Sequence, residues 1–240
     1  MGGRQGNSQE KFVRTLSSSL HCLAQPLSII QASLELALLN PTTVEQYREI
    51  TEGVLHEVAR ATEAMHFTAQ VARFYQPATD VGDLVLSTEV AGALTDLGKT
   101  LDSAQVRVLF TVPEQEQTVR FSPTRLRQML FYLVQAIRGL SHAGDVLRCE
   151  IQGASGELAL RISRVTESKR DSGIEMTAGD SRANRALTLA EAIVSSGGGN
   201  FTSSTHPLMI NPGFPVRREG RLQVAGKGKL SGPQLAASSQ

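Results

Sequence analysis

Two long apolar stripes, separated by a short polar break, constrain the fold of this chain more than any other feature of its sequence. In residues 8–39, apolar side chains recur at intervals of three or four residues, and the stripe consists of Phe12, Leu16, Leu20, Leu23, Leu27, Ile30, Leu34 and Leu38. The second stripe consists of Tyr47, Ile50, Val54, Val58, Ala61, Met65, Thr68, Ala72 and Tyr75. This spacing predicts two amphipathic helices of about 32 residues, each roughly 48 Å long.

The break between the stripes is NPTT at residues 40–43, and its proline disfavours helix at the preceding residue. Thr43 and Gln46 have the spacing of a capping box that starts the second helix. Matched lengths and a short connection predict an antiparallel hairpin at residues 8–77, after a disordered segment at residues 1–7. Because a lone hairpin leaves apolar surface on both helices, we expect two copies to form a dimeric four-helix bundle. Docking of the hairpin onto the rest of the chain is the alternative.

Downstream of the hairpin, short segments of helix and strand alternate. Helices are predicted at residues 84–102, from Ser122-Pro123 onward and at residues 184–196, and strands at residues 105–112, 146–152, 157–165 and 201–204. This order predicts a mixed α/β sandwich at residues 80–206, with a flexible polar loop at residues 166–183. Residues 207–240 are rich in Gly, Ser, Pro and basic residues, which predicts a disordered tail. The whole chain is therefore expected to be an α+β protein.

Composition argues against several classes of partner. The formal net charge of +1 gives no reason to expect nucleic acid or an anionic membrane. The sequence shows no signal core and no stretch of the roughly 20 apolar residues that a membrane span needs. Cys22 and Cys149 are far apart and lack metal-ligand spacing, so we expect neither a metal site nor a disulfide framework. These features together predict a cytoplasmic protein.

His21 lies inside the first stripe, about one turn before Pro26. It is turned about 100° from Leu20 and so faces outward or lies at the edge of the apolar face. A proline in a helix interior removes a hydrogen bond and costs about 3 kcal/mol, so its position beside His21 suggests a local role. A neutral imidazole is a good nucleophile near neutral pH and can carry a phosphoryl group. From these residues alone, an ordinary surface histidine is the alternative interpretation.

The segment HCLAQPL, residues 21–27, resembles the phosphoacceptor motif of the sensor histidine kinases, a histidine followed by an acid, Leu, two further residues, Pro and Leu. This resemblance covers roughly residues 8–205 and implies that His21 is the phosphorylated residue of a dimerisation and phosphotransfer hairpin. Cys22 departs from the pattern, because the family has an acid beside the histidine. Gln25 falls where the family often keeps a residue that positions water for dephosphorylation; its amide could do the same or could simply cover the helix surface.

The resemblance implies that the sandwich is an ATPase-like domain of the Bergerat type, but its nucleotide motifs are degenerate. The family carries asparagines that hold Mg²⁺ on the phosphates. In one register these asparagines fall on Tyr132 and Ala136, and in a register shifted by one residue they fall on Phe131 and Gln135. Neither register therefore supplies a metal-binding asparagine.

The other two nucleotide motifs are also lost. The aspartate that binds the adenine amino group falls on Arg164, and the first glycine of that motif falls on Thr166. The glycines that let a helix N-terminus bind phosphate fall within residues 184–188, NRALT, which contain none. We therefore expect that the chain does not bind ATP, and we interpret Arg164, Arg185 and Lys169 as solvated surface charges.

These features predict a two-component signalling protein that relays a phosphoryl group through His21 between the aspartates of response-regulator receiver domains. In this hypothesis the chain holds no cofactor, and the receiver domain supplies Mg²⁺. One alternative is an active histidine kinase that phosphorylates His21 with ATP through unusual nucleotide contacts. Another alternative is a non-enzymatic dimeric scaffold or a pseudokinase partner of a true kinase.

Overall fold

The computed structural model describes residues 3–40, 43–112, 116, 118–154, 157–165, 178–205 and 208–216. The helices in these ranges are α1 (Gly3–Leu39), α2 (Val44–Phe74), α3 (Leu86–Ser103), α4 (Pro123–Leu140) and α5 (Ala178–Ser196). The strands are β1 (Gly82–Val85), β2 (Arg107–Thr111), β3 (Thr118–Phe121), β4 (Val146–Ala154), β5 (Glu157–Arg164), β6 (Asn200–Thr205) and β7 (Leu208–Pro215). A helical hairpin followed by an α/β sandwich confirms the predicted α+β class.

Helices α1 and α2 form the predicted hairpin. They run antiparallel, since the ring of Phe12 near the start of α1 lies 4.6 Å from the ring of Tyr75 just after α2. The Thr43 side chain accepts the Gln46 backbone N–H, and the Gln46 side chain accepts the Thr43 N–H, which confirms the capping box. Because α1 begins at Gly3, the predicted disorder of residues 1–7 is wrong from residue 3 onward.

The apolar stripe of α1 is divided between two faces. Ser19, Pro26 and Ala37 are buried, and Leu23 and Ile30 are half-buried, so these residues form the face covered within the chain.

A second row of α1 remains uncovered. Val13, Leu20, Leu27 and Leu34 follow one another at intervals of seven residues and are 59%, 52%, 51% and 46% exposed. Only one side of α1 contacts α2, so a single chain leaves part of the predicted stripe exposed, as the sequence indicated for a lone hairpin. A second difference concerns the expectation that no stretch is long and apolar enough to span a membrane. By length and composition alone, the Phe12–Leu39 stretch of α1 is apolar enough to cross a membrane.

The sandwich is built on a five-stranded sheet with strand order β2-β4-β5-β7-β6. Strands β2 and β4 are parallel, and the remaining neighbours are antiparallel. Strand β5 shows the predicted alternation, because Leu158, Leu160 and Ile162 are all buried. Helix α4 packs between α3 and α5, and its apolar residues Leu126, Met129 and Leu133 are fully buried. Strands β1 and β3, which the sequence did not predict, form a separate two-stranded sheet.

The C-terminal boundary of the sandwich differs from expectation. Strand β7 lies between β5 and β6 in the sheet, so the predicted disordered tail from residue 207 is wrong for residues 208–216. The Pro212-Gly213 pair concealed this strand, although Leu208, Ile210 and Phe214 are fully buried in it. Residues 217–240 lie outside the described residues.

Helix α5 begins at Ala178, six residues before its predicted start, so the predicted loop is wrong for residues 178–183. Its end agrees with prediction, because Ser196 is followed by three glycines. Gly198 has a φ of +78°, which glycine adopts without strain. A Cβ atom on Gly199 would lie 2.2 Å from the backbone oxygen of Gly213, so this glycine also allows β6 to approach β7 closely.

The Arg125 side chain of α4 joins the hairpin to the sandwich. Its guanidinium donates to the Phe74 carbonyl oxygen at 2.8 Å, to the Gln76 carbonyl oxygen and to the Ser196 hydroxyl at 2.9 Å. The carbonyls at a helix C-terminus lack intrahelical partners and carry partial negative charge, so a cation is favourable there. Arg125 thereby ties the end of α2 to the end of α5.

Candidate phosphoacceptor site

His21 lies midway along α1 with its side chain exposed to solvent. Among the described residues, no side chain or backbone group forms a hydrogen bond or an ion pair with its ring. Helix α1 continues through Pro26, which is buried. Since proline has no N–H, the carbonyl of Cys22 loses its usual helical partner one residue after His21. The structure therefore presents an accessible imidazole beside a weakened helical turn.

The other predicted residues of this site are placed as follows. Gln25 is exposed and lies four residues after His21, so the two side chains share one face of α1. Cys22 is an exposed free thiol at the position where the family has an acid. In the part of the chain that the structure describes, no carboxylate contacts the His21 ring and no three His, Cys, Asp or Glu side chains are grouped as a metal site. The described residues therefore supply neither a carboxylate nor a metal site at His21.

An open cavity of about 380 Å³ lies between the hairpin and α5 and includes Cys22, but not His21, in its lining. It is lined by Ser18, Ser19 and Cys22 of α1, Arg60, Glu63, Ala64 and Phe67 of α2, and Arg185 of α5. The Arg185 guanidinium forms an ion pair with the Glu63 carboxylate at 3.0 Å. Sequence reasoning missed this cavity, because no local signal indicates that α5 packs against the hairpin.

The positions expected for the magnesium-binding asparagines face other side chains. The Tyr132 ring lies 5.9 Å from the ring of Phe74, at the end of α2, in an edge-on arrangement. The neighbouring Phe131 ring lies 5.6 Å from Tyr132 and is partly exposed. Ala136 is completely buried, and Gln135 is half-buried. This face of α4 thus packs against the hairpin through aromatic rings and offers no asparagine oxygen to a metal ion.

The position expected for the adenine-binding aspartate holds a buried cation. The Arg164 side chain is 8% exposed and lies with its Nε 3.1 Å from Oδ2 of Asp145, which is 6% exposed. Arg164 also donates to the Leu140 carbonyl oxygen at 2.8 Å, near the end of α4. The interpretation of Arg164 as a solvated surface charge is therefore wrong, since it stabilises the end of α4 from inside the sandwich.

Residues 184–188 lie inside α5, because the helix begins at Ala178. Their backbone N–H groups are therefore beyond the first turn, where free N–H groups could bind phosphate. Arg185 forms an ion pair with Glu63, and because these side chains are 43% and 68% exposed, the structure agrees with its interpretation as a solvated surface charge. Thr166 and Lys169 lie outside the described residues. Among the described residues, none at these positions is the asparagine, aspartate or glycine of the family's nucleotide motifs.

Comparison with solved structures finds histidine kinases. AdeS from Acinetobacter baumannii is 17% identical, with 83% of this chain and 98% of that chain covered and a TM-score of 0.49. A histidine kinase from Burkholderia phymatum is 13% identical, with 83% and 97% covered and a TM-score of 0.46. ThkA, solved in complex with the response regulator protein TrrA, is 12% identical, with 90% of this chain and 67% of that chain covered and a TM-score of 0.51.

No protein-family model and no curated protein matches the sequence. The fold assignment therefore depends on structure, and the ThkA comparison covers both the hairpin and the sandwich. Its TM-score above 0.5 agrees with the element order and sheet topology described above. The chain has the fold of the sensor histidine kinases, with a helical hairpin that carries His21 followed by an α/β sandwich of their catalytic-domain type.

Proposed function

We propose that the chain is a histidine phosphotransfer protein that exchanges phosphoryl groups with response-regulator receiver domains through His21. The observation that carries the proposal is the exposure of His21 midway along α1, in a chain whose nucleotide-motif side chains are committed to other contacts. The accessible imidazole of His21 can accept a phosphoryl group. The phosphoryl group must then come from a donor other than ATP. In this proposal the donor is the aspartyl phosphate of a receiver domain.

The transfer step needs little from this chain beyond His21. A ring nitrogen forms a bond to phosphorus while the bond between phosphorus and the aspartate oxygen breaks, and the aspartate leaves as a carboxylate. The reverse reaction passes the group to a second receiver domain. Because transfer is governed by positioning and charge neutralisation, Mg²⁺ and carboxylates of the receiver domain can supply what Cys22 does not. ThkA, whose fold this chain shares, was solved with a response regulator, which supports partners of this class.

The hairpin surface supports a homodimer. The exposed α1 residues at intervals of seven continue the pattern of a coiled-coil seam, and α2 also leaves Leu55, Val58 and Met65 exposed. Isolated exposed apolar residues are ordinary, but a continuous row along two helices marks an interaction surface. A second hairpin packed against this row would complete a four-helix bundle. We place this dimer in the cytoplasm, where receiver domains act.

The proposal is tested by mixing the full chain with receiver domains that carry radiolabelled aspartyl phosphate. We expect acid-labile, alkali-stable label on the wild-type chain and none on His21→Gln. His66→Gln is the matched control, because His66 is an exposed histidine on the neighbouring helix and should leave labelling unchanged. Equal labelling of His21→Gln and wild type would contradict the proposal.

A parallel incubation separates the alternative functions. If labelled ATP and Mg²⁺ label His21 in the purified chain alone, the protein is a kinase and the proposed absence of nucleotide binding is wrong. If receiver domains bind the chain but no phosphoryl group reaches His21, the protein is a scaffold. The relay requires label from receiver domains and none from ATP.

A further inference from the structure

Helix α5 lies alongside the C-terminal half of α2 and runs in the same direction. Near the middle of α2, the Arg185 guanidinium contacts the Glu63 carboxylate at 3.0 Å. Near the end of α2, Arg125 of α4 donates to the Phe74 carbonyl oxygen at 2.8 Å and to the Ser196 hydroxyl at 2.9 Å. On each helix these two contact points are about three turns, or roughly 16 Å, apart. Two contact points at this separation define the direction of α5 relative to the hairpin.

The last turns of α2 belong to the hydrophobic core of the sandwich. Val71 is completely buried and Phe74 is 6% exposed, and both lie in one core cluster with Leu126 and Leu133 of α4. Phe67, one turn earlier on α2, packs against the same cluster. Rotating the sandwich away from α2 would expose these apolar side chains to water, which is unfavourable. The end of the hairpin is therefore a structural part of the sandwich.

The connection between α2 and β1 is attached to α4 at two places. Arg125 donates to the Gln76 carbonyl oxygen. The Asp80 carboxylate accepts the Ser122 hydroxyl at 2.5 Å and the Thr124 backbone N–H at 3.3 Å. Only three residues lie between these attachments, and the first of them is a proline, whose φ is fixed. Because a domain hinge is a short segment that absorbs changes in φ and ψ, this connection has little freedom to act as one.

The contact at Glu63 is weaker than the contacts at the end of α2. The Arg185 and Glu63 side chains are 43% and 68% exposed, and exposed ion pairs contribute little to stability. The open cavity lined by Cys22 lies at the same level, so α5 is less closely packed against the hairpin there. The ion pair thus helps to set the direction of α5, whereas the buried side chains and the two attachments hold the sandwich in place.

We propose that the sandwich is locked in one orientation against the hairpin, with Arg125 and Asp80 as the residues that immobilise the connection after α2. The lock keeps α5 beside the hairpin at the level of Cys22, the residue that follows His21. A receiver domain that docks at His21 then meets α5 in the same position each time. This consequence for docking rests on the proposed function, whereas the lock itself is measured without phosphoryl transfer and stands or falls separately.

Pulsed electron paramagnetic resonance tests the lock by measuring the distance between nitroxide labels on the hairpin and on the sandwich. The labels are attached at Glu52→Cys on α2 and Asp102→Cys on α3, both exposed positions, in a chain that also carries Cys22→Ser. The buried Cys149 stays unlabelled. An excess of unlabelled chain ensures that only distances within one chain are measured, even in a dimer. We expect a single narrow distance distribution.

Two double variants of the labelled chain show whether the named residues form the lock. Arg125→Gln/Asp80→Asn removes both attachments and should broaden the distribution at least about twofold, because the connection is then free to act as a hinge. The matched control is Arg127→Gln/Glu89→Gln, which removes an ion pair between α4 and α3 and should leave the distribution narrow. A broad or two-peaked distribution before either change would overturn the proposal. An equally narrow distribution in both variants would also overturn it, since Arg125 and Asp80 would then not be the lock.

Urea unfolding of the unaltered chain provides a measurement that does not depend on how well the variants fold. Circular dichroism follows the helix content, and reaction of Cys149 with a thiol reagent follows the opening of the sandwich core. Because Val71 and Phe74 share that core with Cys149, both signals should change in one transition. Loss of helix content at a urea concentration where Cys149 is still protected would contradict the lock, because the hairpin would then unfold apart from an intact sandwich.

Discussion

The buried ion pair between Arg164 and Asp145 allows a direct test of the proposal that this sandwich does not bind ATP. The two groups lie 3.1 Å apart with side chains 8% and 6% exposed, at the position where the family pattern places an adenine-binding aspartate. We expect Arg164→Met to lower the free energy of unfolding substantially, because it leaves the Asp145 carboxylate buried without its cation. The Leu140 carbonyl oxygen also loses its donor in this variant.

The size of the effect follows from the geometry. Two unit charges 3.1 Å apart attract each other by about 5 kcal/mol at an effective dielectric constant of 20. Removing one member of a buried pair typically costs about 3–5 kcal/mol, and we expect Arg164→Met to fall in that range. Arg164→Asp restores the acid of the family pattern but places it beside Asp145. We therefore expect a still larger loss of stability and no gain in ATP binding.

Urea unfolding followed by circular dichroism measures these differences. The double variant Arg164→Met/Asp145→Leu is the control, since it removes both charges; its loss of stability should be smaller than that of Arg164→Met alone. A loss below about 1 kcal/mol for Arg164→Met would show that the pair is not a buried electrostatic contact. Tight ATP binding by Arg164→Asp would show that the nucleotide site is intact apart from one residue.

Three further predictions concern Asp80 in the connection between α2 and β1, the two thiols and the dimer. Hydrogen bonds first from the Ser122 side chain and then from the Thr124 side chain lower the pKa of Asp80 from 3.8 to about 2. The contribution of Asp80 to stability is therefore complete above pH 3.8 and is lost as the pH falls toward 2, so Asp80→Asn should flatten this part of the stability profile measured by thermal unfolding. Burial raises the pKa of Cys149 to about 12, with Glu150 adding to the effect, so titration with a thiol reagent at pH 8 should modify the exposed Cys22 alone in the folded chain. Leu27→Glu should convert a dimer to a folded monomer, as measured by light scattering.

Each of these predictions has a control and a contrary result. If Asp80→Asn shows the same pH dependence of thermal unfolding as wild type, Asp80 does not contribute to that dependence. In urea both thiols should react. If both also react in the folded chain, Cys149 is accessible there. Val81→Glu is the control for Leu27→Glu, because Val81 is similarly exposed but lies in the linker, and it should leave the molecular mass unchanged. A Leu27→Glu protein that keeps the wild-type mass would place the interface elsewhere.

Local sequence signals predicted most of the fold. The capping box at Thr43, the Ser122-Pro123 helix start and the alternation in β5 are short-range patterns, and the structure confirms all three. The strands that were missed are β1 and β3, which have four residues each, and β7, which contains a proline and a glycine. A four-residue strand has too few alternations to reveal a period, and β7 is stabilised by its place between two other strands rather than by local preference.

The sequence also predicted only part of the candidate site. The exposure of His21 was predictable from the helical spacing, and the structure places this side chain on the surface; its role as phosphoacceptor stays a prediction. The partners of Arg164 and Arg185 were not predictable, because each ion pair joins residues far apart in the chain. Asp145 lies in the connection between α4 and β4, and Glu63 belongs to α2 of the hairpin. Nothing in the charge pattern distinguishes such residues from solvated arginines. The location of a charge within the fold decides its role.

The spacing of Val13, Leu20, Leu27 and Leu34 has a consequence for the shape of the proposed assembly. A seven-residue repeat falls short of two full α-helical turns by about 20°, so three repeats would rotate the row by about 60° around a straight rod. Helices that keep such a row in mutual contact must wind around each other with a left-handed twist. In a two-fold symmetric pair, the two copies of His21 would then point to opposite sides, and two receiver domains could dock at once without colliding.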